Sequence, residues 1–78
     1  MATTLRNLGA LYQDQGKYAE AEPLFERSLA INEKALGSNH PRVATALENM
    51  TELYKKTGRL DEAKRLEARA KAIRSRNQ

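Results

Sequence analysis

Residues 2–36 of this chain lie over residues 44–78 without a gap, and 13 of the 35 aligned pairs are identical. The identities fall mostly on apolar and turn positions: Leu5/Leu47, Leu11/Leu53, Tyr12/Tyr54, Gly16/Gly58, Ala21/Ala63, Leu24/Leu66, Ala30/Ala72 and Ile31/Ile73. The first copy reads Leu5-x2-Leu8-Gly9-x2-Tyr12-x3-Gly16-x-Tyr18-x2-Ala21-x3-Phe25-x2-Ser28. The second reads Leu47-x2-Met50-Thr51-x2-Tyr54-x3-Gly58-x-Leu60-x2-Ala63-x3-Glu67-x2-Ala70. Apolar residues at helical spacing on both sides of a glycine, repeated at this period, predict a helical hairpin made twice and stacked. The expected fold is all-α: an α-solenoid of two helix-turn-helix repeats, with four antiparallel helices.

The first repeat spans residues 1–36, with helices at about 2–15 and 18–36. Leu5, Leu8, Leu11 and Tyr12 form the stripe of the first helix. Gly9 inside that helix costs about 1 kcal/mol relative to Ala, a cost that close approach of a neighbouring helix would offset. Gly16 ends the helix in a left-handed conformation. In the second helix Pro23 lies past the first turn, so it removes a backbone hydrogen bond near Ala19 and predicts a slight bend. That helix is apolar on two sides, Leu24 and Ile31 on one, Phe25, Ser28 and Leu29 on another, which calls for more than one packing neighbour. Residues 37–41 form the connector, with Gly37 at a helix end and Pro41 at the start of the next helix. The second repeat spans 42–78, with helices at about 41–57 and 60–76.

The last helix keeps one stripe, Leu60, Ala63, Leu66, Ala70 and Ile73, and loses the other. Phe25 becomes Glu67, Leu29 becomes Lys71 and Leu36 becomes Gln78. A terminal repeat needs a polar outer face, so this repeat reads as a C-terminal cap. The first repeat has no comparable polar face. Since about three repeats are the usual minimum for stability, the chain is expected either to be the end of a longer array or to cover its first helix by self-association.

Composition narrows the function. Without cysteine there is no disulfide and no thiolate metal site. No apolar run reaches the roughly 18–20 residues of a membrane span, and no signal-peptide pattern opens the chain; the cytoplasm is favoured over secretion. Residues 1–40 carry 4 Lys/Arg and 5 Asp/Glu, residues 41–78 carry 10 and 5, so the formal charge of +4 sits in the second half. Its basic set, Arg59, Lys64, Arg65, Arg69, Lys71, Arg74 and Arg76, is diluted by Asp61, Glu62 and Glu67. The spacing permits pairs such as Glu62–Arg65 and Glu67–Lys71 along the helix. No aromatic residues interleave with these charges, so nucleic acid is not an expected partner. His40, the single histidine, sits beside Pro41 and suits a turn or cap. No nucleophile–base pair, phosphate loop or carboxylate dyad is present; no enzyme activity, metal or cofactor is expected.

The quoted residues resemble the tetratricopeptide repeat, in the 42-residue form seen in kinesin light chains. Leu5, Leu8, Gly9, Tyr12, Gly16, Tyr18, Ala21, Phe25 and Ser28 fit its signature positions, and Ala35-Leu36-Gly37-x2-His40-Pro41-x-Val43-Ala44 resembles its linker. The second repeat departs at Thr51, Leu60 and Glu67. The resemblance implies a right-handed superhelix whose first helix in each repeat lines a concave groove for a peptide or protein segment. By position, the groove residues would be Thr3, Arg6, Asn7, Ala10, Gln13 and Asp14, then Thr45, Glu48, Asn49, Glu52, Lys55 and Lys56. Asn7 and Asn49 match the family position whose amide bonds a bound peptide backbone, since an amide both donates and accepts. The alternative from another class is a structural role, with self-assembly into a homo-oligomer through the first repeat.

Overall fold

A computed structural model describes residues 2–76, with side chains from residue 4 onward. Four helices follow one another: α1 (Ala2–Asp14), α2 (Tyr18–Leu36), α3 (Pro41–Lys56) and α4 (Leu60–Arg76). Each packs on the next in the chain, α1 on α2, α2 on α3 and α3 on α4. The described residues contain no strand, and the molecule measures 34 × 28 × 16 Å. This is the all-α helical repeat expected. α1 and α3 each stop one residue short of the expected ends, and α2 runs unbroken through Pro23.

The two hairpin turns match bond for bond at the 42-residue offset. In the first, the Gly16 amide donates to Gln13 and the Lys17 amide to Tyr12; in the second, Gly58 donates to Lys55 and Arg59 to Tyr54. These paired bonds form a Schellman motif, which satisfies the last carbonyls of a helix when the residue after its cap turns left-handed. Gly16 and Gly58 supply that residue at φ 77° and 83°. Even the adjoining cations repeat: Lys17 lies 5.9 Å above the Tyr12 ring and Arg59 lies 5.1 Å above that of Tyr54. In the connector, His40 caps α3, its Nδ1 accepting the Arg42 amide at 3.1 Å, with Pro41 as the first helical residue. The histidine therefore has the capping role that its position suggested.

Two apolar clusters hold the helices. One contains Ala21, Phe25, Met50, Leu53, Tyr54 and Ala63 and joins the hairpins, with Tyr12 and Tyr18 packed against it. The other contains Val43, Ala44, Leu47, Ala70 and Ile73 and closes the second hairpin. Phe25 explains Gly9. A Cβ at Gly9 would lie 3.1–3.2 Å from three atoms of the Phe25 ring, so α1 and α2 approach as closely as they do because glycine is there. In the second repeat the ring becomes Glu67 and the glycine becomes Thr51. Thr51 is buried and donates its hydroxyl to the Leu47 carbonyl at 2.8 Å. The glycine thus accompanies the ring in the first repeat, and a side chain stands at its position where the ring is gone.

A double-mutant cycle checks this coupling. Gly9→Thr is expected to destabilise the chain by about 1–3 kcal/mol, as overpacked cores do. In a Phe25→Ala background the same change should cost almost nothing in urea unfolding. Additive effects would show that the ring does not set the spacing.

Candidate functional site

The expected groove residues do not form one uniform surface. On α1, Asn7, Ala10 and Asp14 are exposed while Arg6 and Gln13 are half-buried. The side chain of Thr3 lies outside the described residues. On α3, Glu48, Glu52, Lys55 and Lys56 are exposed while Thr45 and Asn49 are half-buried.

Three of the α3 residues are already engaged by α4. Arg74 grips the Glu48 carboxylate with two nitrogens, at 2.6 and 2.8 Å, and reaches the Thr45 hydroxyl at 3.2 Å. Lys55 pairs with Glu67 at 3.2 Å, and Glu67 also holds Lys71 at 3.4 Å. Glu52 pairs with Lys56 one helical turn away at 3.9 Å. A shallow depression of about 440 Å³ lies over this edge, lined by Glu48, Thr51, Glu52, Lys55 and Glu67. Hydrogen bonding from Arg74 lowers the Glu48 carboxyl below its usual range, and that from Lys55 does the same for Glu67. The stabilisation from these two groups is present above the ordinary carboxylate range and is lost as pH falls from there through their lowered values. Because both sites are exposed, it is small.

Asn7 and Asn49 are different. Among the described residues neither side chain has a hydrogen-bond partner, and no buried side-chain polar atom is left unpaired. Asn7 is exposed and Asn49 half-buried. They recur at the same place in α1 and α3, one in each repeat.

The rest of the basic set is mostly used inside the molecule. Arg59 pairs with Glu22, Arg69 with Glu33 at 2.9 Å, and Arg76 donates to the Asn39 amide oxygen at 3.1 Å. These bonds tie the second hairpin to α2 and the connector of the first. Of the two pairs that spacing permits, Glu67–Lys71 forms; Glu62–Arg65 does not, and Glu62 lies instead near Arg59. Tyr54, buried at the joint, has its hydroxyl pushed from 10.0 up to about 12, first by burial and then by Glu22 and Glu26. A raised value of this kind favours the fold below pH 10.0 and is lost as pH rises through about 12.

Arg74 and Glu67 are the residues at this surface that local sequence reading places elsewhere, Arg74 at a helix end and Glu67 on a solvated face. The usable signal was the offset itself: Glu67 stands where Phe25 does and Arg74 where Asn32 does, both towards the helix paired with them.

Paired helices with duplicated turns and a polar first-helix face define a helical-repeat interaction module. The sequence pattern of the tetratricopeptide repeat matches residues 1–76, and the chain belongs to that family. Repeats of this family are generally non-enzymatic scaffolds that bind protein partners. A "Nucleotide-binding leucine-rich repeat (NLR)-like protein" of Hyaloscypha variabilis (strain UAMH 11265 / GT02V1 / F) is 46% identical over 37 residues. That match covers 47% of this chain and 4% of the relative, so the chain corresponds to a small part of such a protein. Among the described residues, no helix is long and apolar enough to cross a membrane, and no group of three or more His, Cys, Asp or Glu could hold a metal ion.

Proposed function

We propose that the chain binds an extended peptide or protein segment along the face formed by α1 and α3, without catalysis. Asn7 and Asn49 hold the peptide backbone; Arg6, Ala10 and Gln13 on α1 and Glu52 and Lys56 on α3 contact its side chains. Thr45 and Glu48 border the site, their positions fixed by Arg74. The supporting observation is the pair of unengaged amides at matching positions. An amide kept for architecture is bonded to a neighbouring helix, and among the described residues these two have no such bond.

Panning a displayed library of random 15-residue peptides on the 78-residue chain tests this reading. Each amide can make two hydrogen bonds, each contributing about 0.5–1.5 kcal/mol net. The Asn7→Ala, Asn49→Ala double variant should therefore bind the selected peptides at least about 30-fold more weakly. Its melting temperature should stay the same or rise slightly, because alanine is the better helix former. Undiminished binding would move the site off these amides, and a large fall in melting temperature would make them structural.

A further inference from the structure

The two repeats act as controls for each other, because among the described residues a hairpin packs on the upstream side of the second repeat only. Where the second repeat buries Met50 and Leu53 to 4% and 1% exposure, the first leaves their counterparts Leu8 and Leu11 at 39% and 52%. The same comparison holds for the rim. Arg59, Arg69 and Arg76 hold Glu22, Glu33 and Asn39 of the preceding hairpin. Their counterparts Lys17, Arg27 and Lys34 are exposed and have no acidic partner among the described residues. The outer face of α1 is thus an apolar strip with a basic rim, in the same arrangement that α3 and α4 use to grip α2.

What α2 offers to that grip is legible as a stripe. Glu22, Phe25, Leu29 and Glu33 are spaced three, four and four residues apart, which places all four on one side of a helix. We propose that the Leu8–Leu11 face with its Lys17 and Arg27 rim is a docking surface for an amphipathic partner helix of pattern Glu-x2-Phe-x3-Leu-x3-Glu. The apolar pair enters against Leu8 and Leu11, and the two acids meet Lys17 and Arg27.

A second copy of this chain is the wrong occupant. The α4 residues at the same four positions are Lys64, Glu67, Lys71 and Ser75. Head-to-tail stacking would place Lys64 against Lys17, put a carboxylate where the ring belongs and an ammonium where the leucine belongs. Face-to-face pairing would bring two basic rims together. Like charges across an interface suppress pairing.

The probe is a labelled peptide of residues 17–36, which carries the required stripe, titrated into the 78-residue chain by fluorescence anisotropy. Saturable binding is expected, weakening as salt rises. Leu11→Asp in the chain should weaken it at least tenfold. Lys17→Glu with Arg27→Glu should weaken it about fivefold, the scale of two exposed ion pairs. A peptide carrying Glu22→Lys and Glu33→Lys should restore binding to that double variant. A peptide of residues 59–76 should not bind. Helicity and melting of each variant confirm folding, and the surface charge exchange stands even if Leu11→Asp unfolds the chain. No binding, equal binding of the 59–76 peptide, or no rescue by charge exchange would overturn the proposal. Binding indifferent to Leu11→Asp in a folded chain would overturn it too, since the peptide would then be displacing α2 from α3. A stable dimer of the free chain in sedimentation, broken by Leu11→Asp, would make a second copy the occupant.

Discussion

Phe25→Ala is expected to cost about 3–5 kcal/mol of unfolding free energy, the range for deleting a buried aromatic ring. In a chain of this size that corresponds to a fall in melting temperature of roughly 15–30 °C. The reason is position. Phe25 is 2% exposed and its cluster draws on α2, α3 and α4, while its ring also sits against Gly9 of α1. No substitute atom is at hand to fill the space, because the residue opposite is a glycine. The second hairpin meets the first chiefly through this cluster, so the variant should lose the coupling between hairpins as well as stability. Thermal unfolding by circular dichroism, with urea unfolding for the slope, reads both: a shallower urea dependence signals that less surface unfolds together. A loss below about 1 kcal/mol would shift the credit to the Arg59–Glu22 and Arg69–Glu33 pairs, against the usual worth of exposed ion pairs.

Leu47→Ala is expected to cost about 2–5 kcal/mol, the range for buried leucines. Leu47 is fully buried among Val43, Ala44, Ala70 and Ile73 and closes the second hairpin. Its repeat partner Leu5 is only half-buried, so Leu5→Ala should cost clearly less. The difference between the two, measured by urea unfolding, compares one residue type at one helix position in two burial settings. Equal losses would mean that both leucines do the same work despite their different exposure.

Much of the fold could be read from spacing. Gly16 and Gly58 announce the turns because a left-handed residue there is cheapest for glycine, and His40-Pro41 announces a helix start. Gly9 could be read as a close approach, although its partner, the Phe25 ring, could not be named from local sequence. Of the charged replacements, Lys71 is exposed as its polarity suggested, while Glu67 is half-buried and pairs with both Lys71 and Lys55. What escaped were contacts between helices. Along one helix, charges three or four apart are neighbours by geometry, so Glu67–Lys71 was predictable. Glu22–Arg59 and Glu33–Arg69 join residues 37 and 36 apart, and only the stacking of one hairpin on the other brings them together. Glu62–Arg65 shows the opposite error: permitted by spacing, it lost Glu62 to the neighbourhood of Arg59. For the candidate site, the residues were named by resemblance, but the claim of Arg74 on Thr45 and Glu48 was hidden for the same reason. The exposure of Leu11 was equally hidden, since its helical phase is that of a core residue.

The exchange of Gly9 and Phe25 for Thr51 and Glu67 gives the molecule a direction. A duplication of its front half would insert a unit that brings its own ring and notch and sets acid onto base against the unit behind it. A duplication of its back half would press Glu67 and Lys71 into an interior with neither water nor a notch to receive them. Lengthening of such a protein by copying its own parts is therefore one-sided.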